Sequence, residues 1–271
     1  MPRDWDDAYA NMAHIPNGPE IAAAWPDQAQ AFREKTRSKL DISYEAGQRQ
    51  AFDLFFPETE PKGLIVFIHG GYWMRFGRED FSHLAQGAVQ RGFAACVPSY
   101  TLAPDASIAD ITREMTAAVE HAASLVDGPI YLTGHSAGGH LAFRLICEDS
   151  GLSAPVLTRV AGVTGIGGVY DLRPLMLTEL NDTLHVGEAE AGAESPVLLR
   201  PKVSVPITVW VGAAERPEFV RQSRVMAMMW DGLGAEVTLV EDEGRHHFDV
   251  IDGLLEAHSP LMATVLGDQE P

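Results

Sequence analysis

The sequence predicts an α/β fold, a mostly parallel central sheet flanked by helices. Three observations predict it. Short apolar runs alternate with longer stretches of helical spacing, the pattern of strand–helix–strand units. One run, Leu64-Ile65-Val66-Phe67-Ile68, is apolar without interruption, as expected of a strand covered on both faces. No linker, internal repeat or low-complexity segment divides the 271 residues, so one domain, 1–271, is expected.

The elements follow in chain order. Residues 1–39 read as a helical N-terminal extension, with Pro16, Pro19 and Pro26 as punctuation around the helix-prone stretches Ala22–Trp25 and Gln28–Lys35. Leu40–Tyr44 and Gln50–Phe56 read as strands, with Gly47 between them allowing a hairpin. After the apolar strand come a helical pattern over Phe81–Arg91, a strand at Phe93–Val97 and a long helix at Ile108–Leu125. Ile130–Thr133 is a strand, Ala137–Glu148 a helix and Val160–Ile166 a strand. Ile207–Val211 and Val237–Val240 are strands on either side of a helix at Glu218–Leu233, and Asp249–His258 reads as the closing helix. The stretch 170–202 fits no such unit and is expected to be a short cap or an active-site connection.

Composition narrows the function. Hydrophobic residues make up 46% and charged residues 21%, the proportions of a soluble globular protein, and no apolar run is long enough to cross a bilayer. The formal charge of −18 would repel phosphate backbones and anionic lipid, which argues against nucleic-acid and membrane partners. The acidic start of the chain lacks a basic segment followed by an apolar one, and Cys96 and Cys147 have neither metal nor redox spacing; both point to buried thiols in a reducing cytoplasm.

Residues 134–138 carry the chemistry. Gly134-His135-Ser136-Ala137-Gly138 is G-x-S-x-G between a strand and a helix, the context of a nucleophile elbow and hence of the α/β-hydrolase fold. The pentapeptide alone is a weak signal; its placement makes it specific. His69-Gly70-Gly71-Tyr72-Trp73 directly follows the apolar strand, where glycines let backbone N–H groups face a substrate oxygen. Gly70, Gly71 and Ala137 are therefore the predicted oxyanion-hole donors, and Tyr72, Trp73 and Tyr170 the predicted substrate contacts. His69 is expected to orient its loop.

A serine needs a base, and the base an orienting carboxylate. In this fold they follow in the order serine, acid, histidine. His247 is the preferred base, because Phe248 and Asp249 begin the next element and would anchor it; His246 stays open as the alternative, and His258 is read as a surface residue. Glu215, in the loop after the strand Ile207–Val211, is the predicted acid. Glu218 reads as a favourable charge in a helix first turn, and Glu241, Asp242 and Glu243 follow the wrong strand.

Five blocks taken together, His69-Gly70-Gly71-Tyr72-Trp73, Gly134 to His140, Gly168-Val169-Tyr170-Asp171-Leu172, Pro217-Glu218-Phe219 and His247-Phe248-Asp249, resemble the arylformamidase (kynurenine formamidase) branch of the α/β-hydrolases, esterase/lipase type. The resemblance runs from about Leu64 to the last helix. It implies hydrolysis of N-formylkynurenine to kynurenine and formate, with the family's serine on Ser136, its histidine on His247 and its acid on Glu215. The family carries Asp at that position, so Glu215 is a departure. The implied function is a serine hydrolase of small esters or aryl formamides acting through an acyl-enzyme. A general carboxylesterase or thioesterase is the alternative, and an inactive binding protein of the same fold a further one. No metal or cofactor is implied. The partner is a small-molecule substrate, with room for a homodimer. Arg75, Arg173 and Arg216 could meet a substrate carboxylate, though an exposed arginine is more often simply solvated.

Overall fold

The apolar run Leu64–Ile68 shows how the fold is held. Alternate side chains of a strand point to opposite faces. Leu64, Val66 and Ile68 enter one hydrophobic core, and Ile65 and Phe67 enter a second on the other side. The neighbouring strand divides in the same way, with Ala94 and Cys96 on one side and Ala95 and Val97 on the other. Two cores around one sheet are what make these strands apolar without alternation.

The computed structural model describes residues 3–268. The sheet contains β1 Ser38–Ser43, β2 Ala51–Phe55, β3 Leu64–Ile68, β4 Ala94–Pro98, β5 Ile130–His135, β6 Val160–Ile166, β7 Ile207–Gly212 and β8 Val237–Asp242. Their spatial order is β1-β2-β4-β3-β5-β6-β7-β8. β2 pairs antiparallel with both β1 and β4, and β3 to β8 are parallel where they pair. The predicted mostly parallel sheet with flanking helices is therefore present. The loops after β3, β5, β7 and β8 leave from the carboxyl ends of parallel strands, where sites in open α/β sheets form. Among the described residues no helix is long and apolar enough to cross a membrane.

The structure corrects several element assignments. A single helix, Gly18–Arg33, runs straight through Pro26. An interior proline costs about 3 kcal/mol, and here buried Trp25 offsets it by packing against Phe76, Phe81 and Phe248 at ring-centroid distances of 5.6, 5.0 and 5.2 Å. The stretch Phe81–Arg91 is broken into Arg78–Phe81, a 3-10 turn Ser82–Ala85 and Gln86–Gln90. The backbone of Leu254 approaches Gly87 so closely that a Cβ there would lie 2.5 Å from its carbonyl oxygen. The helix after Ser136 ends at Arg144, short of Glu148. The closing helix is not Asp249–His258. A 3-10 turn, Asp252–Leu255, is followed by a helix at Pro260–Val265. Ser259 caps that helix through Met262 N at 3.0 Å, and Pro260 is pre-shaped for its first turn. His258 is exposed between the two.

The stretch 170–202 holds a 3-10 turn at Arg173–Leu177, helices at Asn181–Leu184 and Glu188–Ala193, and a second 3-10 turn at Pro196–Leu198. It is pinned to the body where Trp230 Nε1 donates to Leu199 O at 2.9 Å.

Candidate active site

Ser136 sits between β5 and the helix Ala137–Arg144 with φ 56° and ψ −118°, a conformation that non-glycine residues rarely adopt. Its amide donates to Ile166 O at 2.8 Å, which ties the turn to β6. The flanking glycines are steric necessities. A Cβ on Gly138 would lie 1.9 Å from Ile68 O, and one on Gly134 would lie 2.2 Å from Gly138 O. The strand, the turn and the helix can close this tightly only without those side chains.

The loop after β3 comes down beside the serine. A Cβ on Gly70 would lie 2.9 Å from the Cβ of Ser136. Gly71 has φ +106°, and the amides of Met74 and Arg75 both donate to its carbonyl at 3.0 Å. Among the described residues no protein group accepts the amide hydrogens of Gly70, Gly71 or Ala137. His69 Nδ1 bonds Gly70 O at 2.7 Å and its ring stacks on Tyr100 at 4.4 Å. Burial pushes the His69 pKa down to about 4, so the ring is neutral.

On the other side, His247 Nδ1 and Glu215 Oε2 are 2.5 Å apart. A carboxylate can only accept, so the hydrogen between them belongs to Nδ1, and the neutral tautomer of this ring is the one with its lone pair on Nε2. Glu215 is held in turn by the Gly212 amide, which donates to Oε1 at 3.0 Å. Both side chains are buried. The loops after β7 and β8 are laced together, with Ala213 N donating to Asp242 O at 2.8 Å and Ala214 N to Arg245 O at 3.0 Å. This lacing brings residue 215 against residue 247. His246 is turned elsewhere. Its Nδ1 accepts from the amides of Phe248 and Asp249, both at 3.2 Å, and it does not line the cavity.

Two further residues frame this pair, and sequence reasoning missed both. His135 Nε2 donates to His247 O at 2.8 Å, and burial, together with the neighbouring His247, holds the His135 pKa well below the usual histidine range. Gly167, at φ +53°, lies directly against the pair. A Cβ there would be 2.9 Å from Glu215 Oε1 and 3.0 Å from His247 Nδ1. Gly167→Ala is therefore expected to push the imidazole out of line and cost roughly a hundredfold in kcat. Kinetics read beside the thermal midpoint check this, and an unchanged kcat would show that the pair tolerates displacement.

Ser136, His135 and His247 open into one cavity of about 310 Å³. Trp25, Phe76, Phe81 and Phe248 form aromatic walls, Leu180 is the sole contribution of the stretch 170–202, and Tyr9 to Ala13 form one side. Tyr72 lines this cavity. Its hydroxyl donates to Tyr9 O at 2.6 Å and accepts from Asn11 Nδ2 at 3.3 Å. Trp73 and Tyr170 do not line it, contrary to expectation. Both are fully buried, Trp73 edge-on to His140 at 5.1 Å and Tyr170 against Phe143 at 4.8 Å. Positive φ at Trp73 turns the loop back into the core, an effect that residue types alone do not reveal.

The N-terminal wall was also invisible in the sequence. Glu218, read as a first-turn charge, is buried and accepts from Arg3 at 2.6 Å, Arg221 at 2.6 Å and Tyr9 at 3.3 Å. It thereby fastens the start of the chain over the site.

The sheet order, the elbow and the loops at the carboxyl ends of the strands define an α/β-hydrolase. The chain belongs to that superfamily and is an enzyme, a hydrolase, similar to kynurenine formamidases and to esterases. The family model BD-FAE matches residues 52–150. Kynurenine formamidase of Danio rerio is 29% identical over 245 residues, covering 86% of this chain and 83% of that one. A crystal structure from Silicibacter sp. TM1040, provisionally designated a thioesterase, is 42% identical with a TM-score of 0.92, covering 97% and 99% of the two chains. The hyperthermophilic esterase of Pyrobaculum calidifontis, at 17% identity, TM-score 0.70 and 92% and 90% coverage, shares the fold.

Proposed function

We propose that this enzyme is a serine hydrolase cleaving a small ester or an aryl formamide through an acyl-enzyme on Ser136. The observation that carries the reading is the Glu215–His247 pair, whose histidine opens with Ser136 into one aromatic-walled cavity. In the proposed reaction His247 Nε2 takes the Ser136 proton as Oγ attacks the acyl carbon. Glu215 holds the tautomer and stabilises the imidazolium. The free amides of Gly70, Gly71 and Ala137 receive the oxyanion; losing one such donor typically costs about 3 kcal/mol of transition-state stabilisation. His247 then protonates the departing alcohol or amine, and water, activated by the same histidine, releases the acyl group. Tyr72 contributes to substrate contact from the cavity wall.

Kinship with kynurenine formamidases and the aromatic walls favour an aryl formamide. Likeness to a chain designated a thioesterase favours a thioester as the second reading. Turnover of N-formylkynurenine, p-nitrophenyl acetate and an acyl thioester, each with wild type and Ser136→Ala, separates them. Fast formamide hydrolysis lost in the variant is expected. Ester or thioester turnover alone, lost in the variant, would remove the formamide assignment, and turnover equal in both proteins would remove Ser136 as nucleophile.

A further inference from the structure

The cavity beside Ser136 differs in charge from the rest of the molecule. Although 38 of the 271 residues are acidic, none of the described residues that line the cavity is Asp or Glu. Its only lysine or arginine is Arg75, in the loop that follows the Gly70-Gly71 pair. Arg173, Arg216 and Arg221, by contrast, are already paired. Arg173 Nε lies 2.9 Å from Asp171 Oδ1, Arg216 is paired with Asp7, and Arg221 Nη2 lies 2.6 Å from Glu218 Oε1. Among the described residues the Arg75 guanidinium makes no hydrogen bond and no ion pair. Its backbone is nevertheless fixed, since its amide donates to Gly71 O at 3.0 Å.

An arginine at a catalytic cavity, held by its backbone and free at its head, is a fork for a planar anion. A carboxylate fits it by geometry. On a molecule of net charge −18, such an isolated positive site attracts small anions that the rest of the surface repels. We infer that Arg75 is a specificity-determining residue that selects carboxylate-bearing aryl substrates by pairing with their carboxylate. This rests on the hydrolase reading of the same cavity. The reacting acyl group lies at Ser136, the aromatic body between Trp25, Phe76 and Phe248, and the carboxylate at Arg75. Neutral aryl esters enter the same walls without that anchor.

The test uses the full chain and two pairs of compounds that differ in charge. 4-Phenylbutyrate and 4-phenylbutanamide are titrated calorimetrically, and 4-acetoxybenzoate and its methyl ester are compared as substrates. Wild type is expected to bind the carboxylate about tenfold more tightly than the amide and to show the same preference in KM, shrinking with salt. In Arg75→Ala both ratios should fall to about one, and Arg75→Lys should restore part of the preference. Lys35→Ala, which removes an exposed cation outside the cavity, should leave them alone. Equal binding of the first pair by wild type, or a preference that survives Arg75→Ala, would overturn the inference. The titration needs no catalysis. Charge-selective binding without any hydrolysis would therefore keep the carboxylate pairing at Arg75 and remove the serine-hydrolase reading of this cavity, and hydrolysis without charge preference would do the reverse.

Discussion

If the proposed mechanism holds, replacing His247 with alanine lowers kcat/KM by roughly a millionfold, the scale that loss of the base has in serine hydrolases. Glu215→Gln should cost roughly ten-thousandfold. The second figure is the more informative. Glutamine keeps the size of Glu215 and can still accept from the Gly212 amide, which now donates at 3.0 Å. It can also present its NH₂ to Nδ1, and that stabilises the tautomer with hydrogen on Nε2, which cannot take a proton from serine. The imidazolium also loses its counter-charge. Both variants should fold, because the loops after β7 and β8 are joined by backbone bonds that neither change touches. His246→Ala is the control. That side chain accepts two backbone amides, so its loss should cost stability of about 1 kcal/mol, as removal of a cap does, with little effect on kcat. If His246→Ala were the inactive variant, the base would have to be reassigned.

The two histidines show what a sequence can and cannot carry. Their position after the last strand was legible, because the order serine, acid, histidine follows from the topology. The choice between them depended on which ring turns toward Glu215, and that appears only once the loops after β7 and β8 are joined, with Ala214 N donating to Arg245 O. The central strands were legible because burial on both faces leaves an unbroken apolar run. The wall built by Tyr9 to Ala13 was not, since it depends on Glu218, more than two hundred residues away in the chain. Trp73 misled for a related reason. Beside a glycine pair it reads as a substrate contact, yet the positive φ values of its loop bury it. Gly167 carried no motif at all, and its importance appears only when the pair it abuts is in place.

Stability is expected to fall steeply between pH 7 and pH 5. His69, His83 and His140 are buried, and burial pushes each pKa down to about 4. In the unfolded chain a histidine titrates near 6.5. Between those values the unfolded state binds protons that the folded state refuses. The stability is therefore present above about pH 6.5 and is lost as the pH falls toward 4. Each of the three contributes about 2 kcal/mol of loss by pH 5, and together they rival the whole stability of an ordinary domain, about 5–15 kcal/mol. His135 acts in the same direction. Two effects oppose it. Asp53 and Asp80 have pKa values raised by burial, so their protonation favours the folded state as the pH falls. The charge of −18 also relaxes as carboxylates protonate. Both belong mainly to the carboxylate range, at the lower edge of the window, so the histidines govern its upper part. Denaturant unfolding at pH 8, 6 and 5 measures the slope. His83→Leu, outside the catalytic cavity and with an Nδ1 that has no partner, should remove about a third of the part due to these three histidines. A flat profile from pH 7 to 5, or a slope unchanged in His83→Leu, would show that these rings gain protons without unfolding the chain.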